Sequence, residues 1–507
     1  LKRLRFIIFP ILAGLLLGYF VRQPYLGNYA LSPESVIDIS TAINMAEHKG
    51  MTLSLKWIYF PETPLVRPSV GERGVIYPYL ISRVMDRTYR LELINIIASF
   101  AAGLLFFALV RKAFDDRVAW LSYIWFIFHP LINQSAAYIT NFVLLLLLAV
   151  LTGWILISYE DRAGTVIAGG VMGFSFWVEP WAIFSFLAFL PGMIIGARLV
   201  KSGFARASAF TLGFLLTSAP LMYLIYSIHG TPIPIHIPTF FRVRDHVEFM
   251  FRSYGASPPG VIEFVAANIP FILGRVASNL KTYLHVSFFL NGSWPILFCL
   301  PALFAAGRKA YQDFPSRFLP LISYSVFFLL GAGLVWSRLT TGGSPVIISL
   351  FIVPALFYFL CRVKAGDFPA GFLAAVLVIT LTVSGFTTQN HGPIAENIKR
   401  FGIDIYQLPE RYNEKWLASH KDEEMRIAAV HPWKIFMISN KECGILPVNL
   451  PPEKLREFCE KFGYNYLINN DLDELSAELL KNMGGKPPPW LERIEHNIWK
   501  VKSPQNE

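Results

Sequence analysis

The sequence predicts a polytopic α-helical membrane protein with about eleven transmembrane helices, a cytoplasmic N-terminus and a C-terminal extracytoplasmic α/β domain. Three observations predict it. Of 507 residues, 54% are hydrophobic and only 16% charged, whereas soluble chains carry about a quarter charged residues. Apolar runs long enough to cross a hydrocarbon core recur up to residue 387. Basic residues collect in the short turns between these runs, the pattern that encodes topology in a bilayer.

The runs lie near 4–21, 91–109, 118–132, 141–158, 165–178, 181–197, 207–228, 293–307, 316–336, 345–361 and 369–387. Lys2, Arg3 and Arg5 precede the first, whose long core and lack of an A-x-A-like site favour an uncleaved anchor over a signal peptide. With that end in the cytoplasm, Arg111, Lys112, Arg117, Arg162, Arg198, Lys201, Arg206, Arg308, Lys309, Arg317, Arg362 and Lys364 fall on the same side. The short opposite turns, near 129–140, 179–180 and 337–345, hold Arg338 alone. This asymmetry sets the orientation and a multi-pass location in the inner (plasma) membrane. It also sets nucleic acid aside as a partner, because the basic excess is topological rather than a patch.

The expected division is a transmembrane domain over 1–387, with external loops at about 22–90 and 229–292, and a soluble domain over 388–507. The tail holds 16 Lys and Arg against 18 Asp and Glu. Strand-like runs at Arg426–Val430, Gly444–Val448, Tyr464–Ile468 and Ile498–Val501 alternate there with helical patterns at Pro452–Phe462 and Glu474–Met483. Cys443 and Cys459 are left open between a disulfide and two buried thiols. The chain has four cysteines and no metal or haem spacing. No cofactor is predicted, and a divalent metal has no motif to support it.

Apolar runs without midplane charges argue against an ion-coupled transporter, so chemistry belongs to the external loops. The first loop opens Ser32-Pro33-Glu34-Ser35-Val36-Ile37-Asp38 and reaches Lys49-Gly50, a helix with capping residue, first-turn proline and terminal glycine in place. Glu34 in the first turn suits the helix dipole. Asp38 one turn on shares its face, and like charges at that spacing destabilise a helix unless a cation or ligand offsets them. Either the pair is a solvated face, or Glu34 and Asp38 are catalytic candidates.

Lys56, Arg67 and Arg73 are candidates for holding a lipid phosphate, since basic groups beside interfacial aromatics suit phosphate oxygens, and Arg338 either snorkels to head groups or reaches a bound phosphate. Simple anchoring at the interface is the alternative. Tyr77, His236, Arg242 and Arg244 are candidates for substrate binding. The histidines of the second loop are too irregularly spaced to specify a metal.

The acid-bearing first loop, Tyr77-Pro78-Tyr79 before the second run, Arg117-Val118-Ala119 entering the third, His129-Pro130, the Glu179-Pro180 turn and the α/β tail together resemble the GT-C superfamily. Within it they are most similar to the protein mannosyltransferase and aminoarabinose transferase group, which uses polyprenyl-phosphate sugars. The sequence departs from that pattern where Gly74-Val75-Ile76 stands before the Tyr-Pro pair and where Asn141 stands at an acidic position. The resemblance implies Glu34 as the catalytic acid/base residue, with Asp38 as the alternative. It implies a polyprenyl-phosphate-linked sugar as donor and a lipid, glycan or protein hydroxyl as acceptor, with inversion at the sugar. A glycan polymerase or ligase using a diphosphate-linked oligosaccharide, and a non-catalytic protein binding glycan or membrane lipid, are the competing readings.

Overall fold

A computed structural model of the chain describes residues 8–16, 18, 33–56, 64–84, 91–137, 139–159, 161–198, 203–233, 242, 254, 260–284, 307–335, 344–362, 411–469, 474–484, 487–495 and 497–502. In chain order its elements are α1 (Pro33–Ala46), β1 (Thr52–Leu53), β2 (Leu55–Lys56), β3 (Arg67–Pro68), α2 (Ile76–Val84), α3 (Leu91–Ala113), α4 (Asp116–Phe128), α5 (Pro130–Ala137) and α6 (Phe142–Ser158). They continue as α7 (Arg162–Val178), α8 (Ile183–Arg198), α9 (Gly203–His229), α10 (Val261–Ala267), α11 (Ile269–Leu284), α12 (Gly307–Gln312), α13 (Leu319–Val335) and α14 (Ser344–Leu360). The tail contributes α15 (Arg411–Ser419), β4 (Arg426–Ala429), α16 (Pro432–Ser439), β5 (Glu442–Ile445), α17 (Pro452–Phe462), β6 (Tyr466–Ile468), α18 (Glu474–Asn482), β7 (Leu491–Glu495) and β8 (Ile498–Val501). The predicted run at 369–387 and nearly all of 293–307 lie outside the described residues.

Where they are described, the apolar runs are helical. Among the described residues, Leu93–Ala113 and Gly203–His229 are each long and apolar enough to cross a bilayer alone, and shorter apolar helices include Phe142–Ser158 and Ser349–Leu360. The third run breaks at His129, whose extended backbone ends α4 before Pro130 opens α5. Proline has no N–H to continue a helix and is tolerated at its first turn.

The chain forms two units, one of 1–30, 87–233 and 268–403, the other of 31–86, 234–267 and 404–507. In the helical unit, α7 and α9 meet backbone to backbone. A methyl group on Gly213 would overlap the Val166 carbonyl, and one on Gly169 the Phe210 carbonyl, the small-residue packing by which apolar helices associate in lipid. Stacked rings fill the layer beside it, Phe186 on Phe214 at 3.9 Å and Phe189 on Tyr324 at 4.0 Å. One end of the unit gathers charge. Arg111 pairs with Asp116, Arg362 Nη1 with Asp115 Oδ2 at 3.1 Å, and Arg317 Nη2 donates to the Lys112 carbonyl at 2.7 Å.

The second unit is an α/β fold around a six-stranded sheet in the order β2-β5-β4-β6-β8-β7. Strands β2, β5, β4 and β6 run parallel, and β8 and β7 close the sheet antiparallel. Helix α17 ends at Gly463, whose left-handed backbone (φ 69°) lets Tyr464 N–H return to the Cys459 carbonyl at 2.9 Å. The tail reading holds for most strands and helices but omits α16, β7 and above all β2, which comes from the first loop. The unit boundaries therefore differ from a cut at 387, because loop-one residues complete the tail sheet. Cys443 and Cys459 are buried free thiols; burial pushes the Cys459 thiol up to about 12 and raises that of Cys443 as well. The second loop is not loop throughout, since residues 268–284 lie in the helical unit, where α11 packs on α13.

Gly213→Ala is expected to destabilise the protein by about 1–3 kcal/mol, the usual cost of overpacking. Gly274→Ala, with open space around its site, is expected to leave stability unchanged or raise it slightly. Thermal unfolding in detergent compares the two, and equal midpoints would contradict the close crossing of α7 and α9.

Candidate functional site

Helix α1 carries both acids proposed from the sequence, Glu34 in its first turn and Asp38 in its second. Its far end is fixed by side chains. Asn44 Nδ2 donates to the Thr52 carbonyl at 3.0 Å and to Ser54 Oγ at 2.9 Å, and the Ser54 N–H donates to Ser40 Oγ at 3.3 Å. The Cys443 N–H in turn donates to the Ser54 carbonyl at 3.0 Å. The helix that presents the carboxylates is thus tied to the tail sheet through the hairpin-like segment that follows it, and it packs on α2 and α16.

Asp38 does not face solvent. Its carboxylate is fully buried and accepts from Arg73 Nε at 3.0 Å and Nη2 at 2.8 Å. This two-point contact is the strong form of a carboxylate–guanidinium pair. It offsets the desolvation that an isolated buried carboxylate would suffer, and it answers the like-charge tension with Glu34. Asp38, the catalytic alternative, is thus engaged by Arg73 at the second turn of α1.

Two of the cations named for phosphate also have partners within the protein. Arg67 is buried, with Nε and Nη2 on the two oxygens of Glu72 and Nη1 on the Leu55 and Leu65 carbonyls. Every nitrogen of that guanidinium is committed within the protein. Lys56 is wholly buried, its ammonium over the Phe462 ring at 5.2 Å from the centroid. The turn that brings Glu72 and Arg73 into place needs Gly71, whose φ of 93° few other residues adopt. Of the three cations named for phosphate in this loop, Arg73, with 11% of its side chain exposed against 2% for Arg67, keeps some access to solvent.

Tyr77, named for substrate, is fully buried in the first turn of α2. Its neighbour Tyr79 is exposed instead, under the Arg83 guanidinium at 4.9 Å. Arg242 is half-buried, and that burial lowers its pKa from the usual arginine range. The Glu34 side chain, His236, Arg244 and Arg338 lie outside the described residues.

The helical unit adds a carboxylate that the sequence reading treated only as part of a turn. Glu179 caps the C-terminal end of α7, is buried, and accepts from Asn141 Nδ2 at 2.7 Å. Beside it in the chain, Thr140 accepts through its carbonyl from Asn95 Nδ2 at 2.9 Å. These residues come from the start of α3, the start of α6 and the end of α7, opposite the charged end. A lone acid between two apolar runs was the available signal, because ionisable groups at membrane depth are retained for a reason. His129 is buried nearby in sequence, edge-on to Trp125 at 5.0 Å, and neither ring nitrogen has a hydrogen-bond partner among the described residues. Among the described residues no group of three His, Cys, Asp or Glu could hold a metal ion.

Arg73→Met is expected to cost about 3–5 kcal/mol, because it strands a buried carboxylate. Adding Asp38→Asn should restore part of that loss, and thermal unfolding of the four-membered cycle measures the coupling. Strictly additive effects would mean that the two side chains do not act on one another.

No family model matches the chain, and no curated protein matches it in sequence. Solved structures do. The oligosaccharyltransferase of Archaeoglobus fulgidus, tethered to an acceptor peptide containing the NVT sequon, matches 99% of this chain and 74% of its own, with 11% identity and a TM-score of 0.59. Its apo form matches 92% and 69%, with 13% identity and a TM-score of 0.55. ArnT from Cupriavidus metallidurans bound to undecaprenyl phosphate matches 99% of both chains, with 11% identity and a TM-score of 0.54. It is the fold of these structures that this chain shares, over nearly its whole length.

Proposed function

We propose that the protein is a membrane glycosyltransferase that moves one sugar from a polyprenyl-phosphate carrier to an acceptor hydroxyl at the outer face of the membrane. The observation that carries this reading is the end-to-end likeness in fold to ArnT bound to undecaprenyl phosphate, with the lengths of both chains accounted for. The topology that goes with it has eleven spans and a cytoplasmic N-terminus. Its support is the single charged end of the helical unit, where Arg111, Lys112, Arg317 and Arg362 collect.

In this reading the Glu34 carboxylate accepts the proton of the acceptor hydroxyl while that oxygen attacks C1 of the sugar. The bond from C1 to the phosphate oxygen breaks on the opposite face, polyprenyl phosphate leaves with the electron pair, and the anomeric centre inverts. Asp38 and Arg73 hold α1 so that its first turn keeps a fixed direction. Arg73 and Arg338 neutralise the charge that grows on the departing phosphate, with Arg242, Arg244 and His236 contributing to substrate binding from the second loop. The carrier tail would lie along apolar helices. A groove of about 520 Å³ between α6, α7 and α9, lined by residues such as Leu148, Val166, Phe174 and Leu216, has the chemistry for it.

A second reading, transfer of an oligosaccharide from a diphosphate carrier, is favoured by the likeness to the archaeal oligosaccharyltransferase. Donor chemistry separates the two. Purified protein is incubated with a panel of monophosphate-linked single sugars and diphosphate-linked oligosaccharides, and mass spectrometry identifies the freed carrier. Release of polyprenyl monophosphate is expected, and release from the diphosphate donors alone would select the second reading.

Glu34→Gln is expected to lower turnover by about 10²–10⁴, the range for loss of a general base, with membrane insertion and the thermal midpoint retained. Near-normal turnover in that variant would reject Glu34 as the base.

A further inference from the structure

Within the helical unit, α7 and α9 run side by side in the same direction. Gly169 meets the Phe210 backbone, Gly173 meets that of Phe214, and Trp177 Nε1 donates to the Thr217 carbonyl at 2.8 Å. Each turn of one helix thus meets the corresponding turn of the other. This register puts Arg162, the first residue of α7, level with the first turn of α9, which holds Arg206. Both lie at the charged end of the unit. Gly153, near the end of α6 that leads to Arg162, abuts Leu109 and Leu321, and these stand within about one turn of Arg111 and Arg317 in the chain.

Arg111, Arg362 and Arg317 at that end are committed to Asp116, Asp115 and the Lys112 carbonyl. Arg162 and Arg206 have no hydrogen-bond or ion-pair partner among the described residues. Asp161, next to Arg162, is engaged in capping α7 through the Gly164 N–H at 2.8 Å, and the first turn of α9 has no acid. Each guanidinium therefore stands where a helix dipole disfavours a cation and favours an anion. Two such cations call for a negative group from outside the chain.

The groove of about 520 Å³ between α6, α7 and α9 begins at Val166, one turn beyond Arg162, and reaches Phe174. Gly170 and Gly213 line it without side chains, and Ile167, Phe174 and Leu216 are exposed along it. That stretch of α7 is about 12 Å long. Its walls suit any long hydrocarbon, the carrier tail included. The charge beyond its end is what selects among them.

We infer that the groove and the two arginines form one binding site for an anionic phospholipid, with its phosphate at Arg162 and Arg206 and an acyl chain along Gly170 and Gly213. Basic groups beside a cleft between spans recognise anionic head groups in this way, and the guanidinium fork matches phosphate oxygens. In the reaction proposed above the carrier phosphate stands at the outer face, at the opposite ends of α7 and α9. The lipid held by the arginines therefore belongs to the cytoplasmic leaflet. The inference rests on the proposed topology and not on the transfer reaction.

The test titrates the full chain, stripped of lipid in detergent, with phosphatidylglycerol, phosphatidylcholine and polyprenyl phosphate in turn, and native mass spectrometry counts the lipid bound. Phosphatidylglycerol is expected to bind about tenfold more tightly than phosphatidylcholine and to lose about that factor in Arg162→Gln/Arg206→Gln. Ile167→Trp, which crowds the groove from an exposed position, is expected to weaken the same lipid with the charges unchanged. Equal binding of the two phospholipids, or phosphatidylglycerol binding untouched in both variants, would overturn the site. Loss of polyprenyl phosphate alone in the variants would overturn it too and give the groove to the carrier. No donor sugar enters the assay, so its outcome is separate from that of the transfer reaction. If the double variant is not monodisperse, Ile167→Trp decides it.

Discussion

Strand β2 is only Leu55 and Lys56, yet its parallel pairing with Cys443 and Gly444 of β5 holds the candidate site together. It adds a backbone link between the first loop and the tail to the packing of α1 on α16. With it, α1 stands at a fixed distance from a six-stranded sheet, since Asn44 and Ser40 clamp the helix to residues 52–54 immediately before β2. A two-residue strand contributes little free energy of its own. Its effect is to lower the entropy of the loop, because closing a long segment at one point removes most of its freedom. Lys56 is buried at that point over Phe462, so the closure also commits a cation to the interior.

Two carboxylate–guanidinium pairs then set the rest of the loop. Arg67 with Glu72 and Arg73 with Asp38 are each bidentate, and the two acceptors lie on opposite sides of the Gly71 turn in sequence. Buried pairs of this kind add little net stability over apolar packing, but breaking one is costly. Their consequence is therefore geometric. An alternative loop conformation must leave a charge stranded, and the direction of α1 follows.

Much of this was legible in the sequence. Apolar runs such as 141–158 and 207–228 became α6 and α9 with ends shifted by a few residues, because a span long enough for the bilayer leaves one helical solution. The start of α1 was written in Pro33, and most of the tail strands in their β-branched and apolar runs. What was hidden depended on partners. Arg67 and Arg73 carry the same chemistry whether they face a phosphate or a carboxylate, and only the fold shows that Glu72 and Asp38 lie against them. Strand β2 was invisible because two residues have no period. Glu179 looked like a turn residue because its partner, Asn141, lies in a different interhelical turn.

The same dependence on surroundings explains why the second loop was assigned to water. Helix α11 mixes Arg275, Asn279 and Lys281 with Ile269, Ile272 and Leu273, and an average over such a segment cannot distinguish a helix with its polar side outward from one with its polar side inward. Burial makes the distinction: Arg275 and Asn279 are inside and Leu273 outside. An arginine held inside a lipid-facing helix is sheltered from hydrocarbon by neighbouring helices, and here α13 supplies that shelter. Arg275 and Asn279 therefore depend on the bundle for their surroundings, whereas Lys281 is exposed. Reversing the helix would expose the guanidinium to acyl chains and bury a leucine it has no need to bury, so the two solvents together fix the rotation of α11 about its axis.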